Sequence, residues 1–211
     1  MRRPSSRTRV CGPGLLAASA LLLLGLSSAH AKPTAGDPAT CDGRVLEQPF
    51  TRWGDLATYV LVPNGTIEKR GSWTYTSSAA RVRGNETFYV HAEDDAWSLA
   101  LPPGSSATTD LMCVRVDDPT LRFFARNTGS FLSSLRIDVL FTDGSGRRRS
   151  VLVGTHLGSA AWQPTSPFLV IANLTSLLAA EGHVDVAFRF TPQGTGDWFI
   201  DDIYVDPFRH G

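Results

Sequence analysis

The sequence predicts an all-β fold in which short antiparallel strands pack as a two-layer sandwich. From residue 57 onward, short apolar runs alternate with turn-forming Gly, Pro, Asn, Asp and Ser at the spacing typical of such folds. The strongest run, residues 135–141, alternates apolar and polar side chains with a period of two, as a strand with one buried face does. Only residues 174–180 have helical composition, enough for about two turns. We therefore expect at most one short helix.

The first 31 residues have the three parts of a secretory signal. Four arginines and no acidic residue precede residue 10, an apolar run covers residues 15–26, and small residues close the segment at residues 29–31. We expect cleavage after Ala31. An uncleaved membrane anchor is the alternative, but the apolar run is shorter than the about 20 residues that span a bilayer.

The chain expected after cleavage is long enough for one core and is mildly acidic. Residues 32–40 are expected to form a flexible leader, residues 41–207 the sandwich domain and residues 208–211 a C-terminal tail. Removal of the signal leaves 16 basic and 20 acidic side chains, a net charge of −4, so no nucleic-acid partner is expected. Arginine outnumbers lysine 18 to 2, which is typical of a GC-rich bacterial genome. We expect a monomer secreted outside a bacterial cell, with no membrane span after cleavage.

Two cysteines, Cys41 and Cys113, remain after cleavage. In an oxidising compartment an even pair predicts a disulfide, which would stabilise the fold by about 4 kcal/mol in the chain-entropy model. Two buried free thiols are the alternative. Metal binding by cysteine is not expected, because no cysteine or histidine lies close by in the sequence.

Twelve segments combine β-forming side chains with flanking turn residues, and each is predicted to be a strand: residues 58–62, 72–76, 80–83, 87–91, 97–101, 111–116, 121–127, 135–142, 150–155, 168–172, 184–191 and 198–205. The segment 135–142 is joined to 150–155 through an Asp-Gly-Ser-Gly sequence, which predicts a hairpin. The segment 184–191 repeats the period of two.

The sequence contains no catalytic motif. It has no nucleophile elbow, no zinc-protease motif and no phosphate-binding glycine loop, and its histidines are scattered. We therefore do not expect an enzyme. A pair of carboxylates from distant strands remains open, because spacing along the chain cannot show it.

Two adjacent acids, Asp201 and Asp202, interrupt an otherwise apolar strand. A carboxylate that points inward is costly unless it is paired or coordinates a cation. Ca²⁺ suits this position because it takes several oxygen ligands in flexible geometry. The alternative is a bulge or sheet edge at which both carboxylates are solvated.

Three short segments resemble jelly-roll carbohydrate-binding modules of the xylan- and β-glucan-binding type. Residues 61–68, Leu-Val-Pro-Asn-Gly-Thr-Ile-Glu with a tryptophan five residues on, resemble the opening strand; Ser-Leu-Ala-Leu at 98–101 and Phe-Ile-Asp-Asp-Ile at 199–203 resemble two later strands. The resemblance implies a jelly roll whose first and last strands lie together. It also implies a structural Ca²⁺ held by Glu68, Asp201 and the Gly65 carbonyl.

The chain as a whole resembles a type of small secreted actinobacterial protein, through residues 50–55, 104–108, 112–114, 121–127 and 162–165. This second resemblance supplies no activity.

These observations predict a secreted, non-catalytic module that binds an extracellular or cell-wall polysaccharide. Sugar recognition requires an exposed aromatic platform beside polar groups. The candidate ligand-binding residues are Trp97, Trp162 and Tyr89, with Arg122, Asn127 and Gln163 as hydrogen-bonding partners. The alternatives are a structural or protein-interaction module of the cell envelope and a secreted hydrolase.

Overall fold

The computed structural model describes residues 41–128, 130–170 and 182–207. The predicted signal, leader, C-terminal tail and short helix lie outside these residues. Within them the protein is built from two antiparallel sheets, which confirms the predicted all-β sandwich. None of the helices in these ranges has the length and apolar character needed to cross a membrane.

The strands in these ranges, numbered in chain order, are β1 (Val60–Leu61), β2 (Thr74–Thr76), β3 (Ala80–Arg83), β4 (Trp97–Leu101), β5 (Ser106–Thr108), β6 (Met112–Arg115), β7 (Thr120–Asn127), β8 (Ser134–Thr142), β9 (Arg148–His156), β10 (Gln163–Pro164), β11 (Phe168–Leu169), β12 (His183–Gln193) and β13 (Trp198–Asp206). A single-turn 3₁₀ helix, Thr51–Trp53, precedes them.

The first sheet has the order β10-β7-β13-β4-β3, with β1 also paired to β13 and β11 to β7. The second sheet has the order β2-β5-β12-β8-β9, with β6 also paired to β12. Between the sheets lies the main core, which contains the fully buried Phe123, Phe188, Phe190 and Trp198.

The predicted strand at residues 87–91 is wrong. The carboxylate of Glu86 accepts hydrogen bonds from the backbone N–H groups of Phe88 and Val90, the latter at 2.8 Å. Tyr89 has a left-handed backbone, with φ of 51°. The side chain of Glu86 therefore replaces a sheet partner, and the segment forms part of a loop over residues 84–96.

The first and last strands lie side by side, as the resemblance implied. Val60 pairs with Val205, and Leu61 pairs with Tyr204. Just beyond this ladder, the backbone of Gly65 approaches so closely that a Cβ atom there would lie 2.6 Å from the carbonyl oxygen of Ile203. The Cys41–Cys113 disulfide is also present, which confirms the predicted pairing.

The outer face of the first sheet is covered by a second aromatic cluster. Its buried members are Phe50, Tyr59, Phe124, Trp162 and Tyr204. Phe50 comes from the segment before β1, and its ring stacks on Phe124 with 5.5 Å between ring centroids. The segment before β1 and the loop 84–96 pack against this face, and we call them the cover of the first sheet. The outer face of the second sheet carries a groove instead.

Candidate binding groove and acidic cluster

A groove of about 840 Å³ lies on the outer face of the second sheet. Side chains alternate along a strand, and the odd-numbered residues of β8 fill the core, so Leu140 points outward. The antiparallel register places Ala187 of β12 directly beside Leu140, and Arg148 of β9 beside Thr142. Leu140 and Ala187 thus form an apolar floor, and the small side chain of Ala187 leaves room above it.

Polar side chains surround this floor. Those that line the groove are Thr109, Asp110, Thr142, Asp143, Arg148, Arg149, His183 and Asp185. They include hydroxyls, carboxylates and guanidinium groups, so the groove offers both hydrogen-bond donors and acceptors. Its volume falls in the range of about 300–1,000 Å³ that is usual for ligand sites.

One rim of the groove is fixed by Asp143 in the β8–β9 turn. Its carboxylate accepts hydrogen bonds from the Ser145 hydroxyl at 2.6 Å, the Arg147 backbone N–H at 3.0 Å and Nε of Arg149 at 2.6 Å. These bonds hold the pKa of Asp143 well below its usual range, with the Ser145 hydroxyl as the largest cause. Asp143 therefore stays ionised at neutral pH and cannot act as a general acid.

A charged cluster continues the polar surface along the same face. Asp138 pairs with Arg189 across the β8–β12 ladder and is buried. Arg136 donates two hydrogen bonds to its carboxylate, at 2.8 and 2.6 Å, and Arg189 donates to the Ser150 hydroxyl at 3.0 Å. The hydrogen bond from Arg136 is the largest cause of the lowered pKa of Asp138, and it outweighs the opposing effect of burial.

A cluster of acids lies against the first sheet, where β13 is irregular. The pairing of β13 with β7 shifts register between Asp201 and Tyr204, and Asp202 has a left-handed backbone with φ of 48°. The bulge of the alternative interpretation is therefore present, but the carboxylates are not solvated, because Asp201 and Asp202 are each 0% exposed. Burial, followed by the charge of Asp202, raises the pKa of Asp201 well above its usual value.

Several oxygen atoms of Asp202 and of the loop 84–96 are buried without a hydrogen-bond partner. They are both carboxylate oxygens of Asp202, Oδ2 of Asp95 and Oδ1 of Asn85. Burial, and then the charges of Glu86 and Asp95, raise the pKa of Asp202 to about 8. A buried carboxylate without a partner is costly, whereas oxygen atoms of this kind are the ligands that Ca²⁺ prefers.

The three metal ligands predicted from the sequence already have protein partners. Oε1 of Glu68 accepts hydrogen bonds from the backbone N–H groups of Ala96 and Trp97, both at 2.8 Å. Asp201 accepts from the N–H groups of Glu86 and Asp202, and the Gly65 carbonyl accepts from the N–H of Ile203. The prediction of Glu68, Asp201 and Gly65 stays a prediction, but the unpartnered oxygens belong to Asp202 and to the loop 84–96.

The predicted ligand-binding residues do not gather at one site. Trp162 is only 6% exposed because it belongs to the second aromatic cluster, and Arg122 on β7 is only 7% exposed because its guanidinium lies over the ring of Phe50 from that cluster. Arg122 forms an ion pair with Asp55 and donates to the Thr165 carbonyl at 2.8 Å. Both side chains therefore offer little surface to a ligand, and their binding role stays a prediction.

Trp97, Tyr89 and Gln163 are more accessible but lie outside the groove lining, whereas Asn127 is only 6% exposed. The guanidinium of Arg81 stacks over Trp97 at 3.5 Å from the ring centroid, beside a small cavity of about 200 Å³. Tyr89 is 48% exposed in the loop 84–96, and Gln163 is exposed on β10. Asn127 donates to the Ser130 carbonyl at 2.5 Å. A sugar-binding role for Trp97, Tyr89 and Gln163 stays a prediction.

The fold and the groove define a jelly-roll sandwich with an open cleft on one sheet. No protein-family model matches the chain, and no curated protein matches it. Solved structures that match include the CBM22-1 xylan-binding domain from Paenibacillus barcinonensis Xyn10C, at 10% identity and a TM-score of 0.45 over 70% of this chain and 94% of that domain.

Two further matches are also carbohydrate-binding modules. One is the CBM22-1–GH10 modules of the Clostridium thermocellum xylanase 10B complexed with xylohexaose, at 10% identity and a TM-score of 0.43 over 66% of this chain and 26% of that one. The other is TmCBM61 in complex with β-1,4-galactotriose, at 16% identity and a TM-score of 0.38 over 69% of this chain and 96% of that one. The chain thus spans about a quarter of the xylanase chain. At such identities and scores, the ligands of these proteins carry no argument for this one.

Proposed function

We propose that this protein is a secreted, non-catalytic module that binds a polysaccharide in the groove on the second sheet. The observation that carries the proposal is the groove itself, with its apolar floor and its rim of hydroxyl, carboxylate and guanidinium groups. A sugar chain presents both kinds of surface, since its C–H faces are apolar and its hydroxyls donate and accept hydrogen bonds.

Among the described residues the groove is open to solvent along the sheet, which suits an extended ligand. The Arg136–Asp138–Arg189 cluster lies one residue pair beyond Leu140 and Ala187 on the same face, so a longer chain would meet further donors. The rim is held in place by the bonds at Asp143, which lowers the entropy cost of ordering it on binding.

Binding is tested with a panel of neutral and uronic-acid-containing polysaccharides, soluble and insoluble. Thr142→Trp would place a large ring in the groove, and because Thr142 is exposed the fold should tolerate it. Thr87→Trp makes the same change at an exposed position in the loop 84–96 and is the matched control. We expect the Thr142 variant to lose retention and the control to keep it.

Two outcomes would contradict the proposal. Retention on none of the polysaccharides would favour an interaction module instead. Retention that survives in Thr142→Trp but falls in Tyr89→Ala or Gln163→Ala would move the site to the residues predicted from the sequence.

We also propose that the acidic cluster holds a structural Ca²⁺, with oxygens of Asp202, Asp95 and Asn85 as ligands. Support comes from the four buried oxygen atoms of these residues that have no hydrogen-bond partner. A bound cation would offset the cost of burying Asp202 beside Glu86. Measurement of calcium content after dialysis tests this directly, and about one equivalent is expected in the wild type and none in Asp202→Asn.

A further inference from the structure

Three potential metal ligands meet at one end of the groove, on the outer face of the second sheet. His183 and Asp185 are two residues apart on β12 and therefore point to the same face. The register of β6 with β12 sets Cys113 directly opposite Asp185. A ring nitrogen of His183, a carboxylate oxygen of Asp185 and Sγ of Cys113 all lie within 4.8 Å of one another.

In the oxidised protein this group is incomplete as a metal site. Sγ of Cys113 is bonded to Sγ of Cys41, and the sulfur that binds metals strongly is the thiolate. His183 and Asp185 alone offer two ligands, whereas protein zinc sites use three or four.

Reduction changes the donor set. A phosphine can supply the two electrons: the S–S bond breaks, phosphorus takes the oxygen of one water molecule to become a phosphine oxide, and the two protons of that water end on the two sulfurs. The Cα atoms of Cys41 and Cys113 are 5.2 Å apart, so the two thiols form side by side.

We propose that reduction of the Cys41–Cys113 disulfide opens a zinc site formed by Cys113, His183 and Asp185. Zn²⁺ displaces the thiol proton of Cys113 and gains one sulfur, one nitrogen and one oxygen ligand, a combination that suits its borderline softness. The Cys41 thiolate or a water molecule supplies the fourth ligand. The groove, which His183 and Asp185 both line, gives the ion access.

The disulfide and the metal therefore exclude one another. While the chain is reduced, zinc would tie β6 to β12; after oxidation, the disulfide ties β6 to the segment at Cys41 and the ion leaves. This inference is independent of the polysaccharide proposal, because it concerns the reduced protein.

Co²⁺ is the probe, since its bond to a thiolate gives a charge-transfer band in the near ultraviolet. We expect this band in wild-type protein reduced with a phosphine, and no band in the oxidised protein. Cys41→Ser leaves Cys113 as a free thiol without any reductant, and we expect the same band there. Circular dichroism recorded on each sample shows whether it is folded.

Two ligand variants in the Cys41→Ser background test the geometry. His183→Ala and Asp185→Asn should each weaken Co²⁺ binding by more than about tenfold, since even residues that only support a ligand are worth that much. Asp110 lines the same groove but is not one of the three proposed ligands, so Asp110→Asn should leave Co²⁺ binding unchanged. Absence of the band in folded reduced protein, or equal affinity in His183→Ala and its parent, would overturn the inference. If Cys41→Ser does not fold, reduced wild type and reduced His183→Ala decide the question.

Discussion

Asp202→Asn offers the sharpest test of the acidic cluster, because it removes a charge and keeps the shape of the side chain. In the wild type, both oxygens of Asp202 are buried without a hydrogen-bond partner. Without Ca²⁺ and at a pH above about 8, where Asp202 is ionised, the variant should melt at a higher temperature than the wild type, since it no longer buries an uncompensated carboxylate. With Ca²⁺ the order should reverse, because only the wild type gains from the ion.

The size of the Ca²⁺ effect follows from linkage. An ion that binds only the folded state, present at 100 times its Kd, stabilises that state by about 2.7 kcal/mol. For a domain of 150–250 residues each kcal/mol raises Tm by about 2–4 °C, so the wild type should gain about 5–11 °C. Asp202→Asn should gain almost nothing.

Differential scanning calorimetry of chelator-treated protein, titrated with CaCl₂, measures this difference. Asp94→Asn removes an exposed acid from the loop 84–96, and the Tm of this variant should respond to Ca²⁺ like that of the wild type. Failure of the wild-type Tm to rise with Ca²⁺ would refute the reasoning. Loss of the response in Glu68→Gln but not in Asp202→Asn would favour the ligand set predicted from the sequence.

Three further measurements test other parts of the structure. The hydrogen-bonded guanidinium that lowers the pKa of Asp138 implies stability that is present above the unfolded pKa of about 3.9 and lost as pH falls through the lower folded value. The Tm advantage of the wild type over Asp138→Asn should therefore shrink between about pH 5 and 2, and a constant difference would contradict this. Burial lowers the pKa of His156, so stability should decline as pH falls below the unfolded pKa of about 6.5; His156→Phe should show a flatter Tm profile from neutral pH downward, and an equally steep one would exclude this cause. Gly65→Ala would bring a Cβ atom to 2.6 Å from a backbone carbonyl and should cost about 1–3 kcal/mol in urea unfolding, whereas Gly144→Ala, which meets no atom within 4 Å, should cost far less.

The strands that local pattern predicts well are those with one face in the core. Residues 135–142 correspond to β8, and residues 97–101 to β4, because alternation along the chain reports the burial of each side chain directly. The short strands β5 and β10 were not predicted, since three and two residues cannot show a period. The error at residues 87–91 has a different cause: the partner of that segment is the Glu86 carboxylate, which no strand pattern reveals.

The sites were harder to predict than the strands, because each depends on register between distant segments. The adjacent acids at 201 and 202 indicated a cation site, but sequence cannot show that backbone N–H groups satisfy Asp201 and leave Asp202 unpaired. Likewise, Cys113 and Asp185 are far apart in the chain and become neighbours only through the β6–β12 ladder. Composition marks Trp162 as a possible platform, but it cannot show that packing buries this side chain against the outer face of the first sheet.

The proposed polysaccharide groove and the acidic cluster lie on opposite sheets, so we expect them to act independently. The acidic cluster belongs to the cover of the first sheet, where a cation would hold the loop 84–96 against β13. The groove belongs to the outer face of the second sheet, and its rim is fixed by the bonds within the β8–β9 turn. Since residues more than about 7–10 Å apart without shared partners act almost additively, removal of Ca²⁺ should lower Tm while ligand affinity measured well below Tm stays unchanged. A groove variant such as Thr142→Trp should lower ligand affinity and leave Tm unchanged. Coupled losses would instead require that a displacement in the cover be transmitted through the core between the sheets.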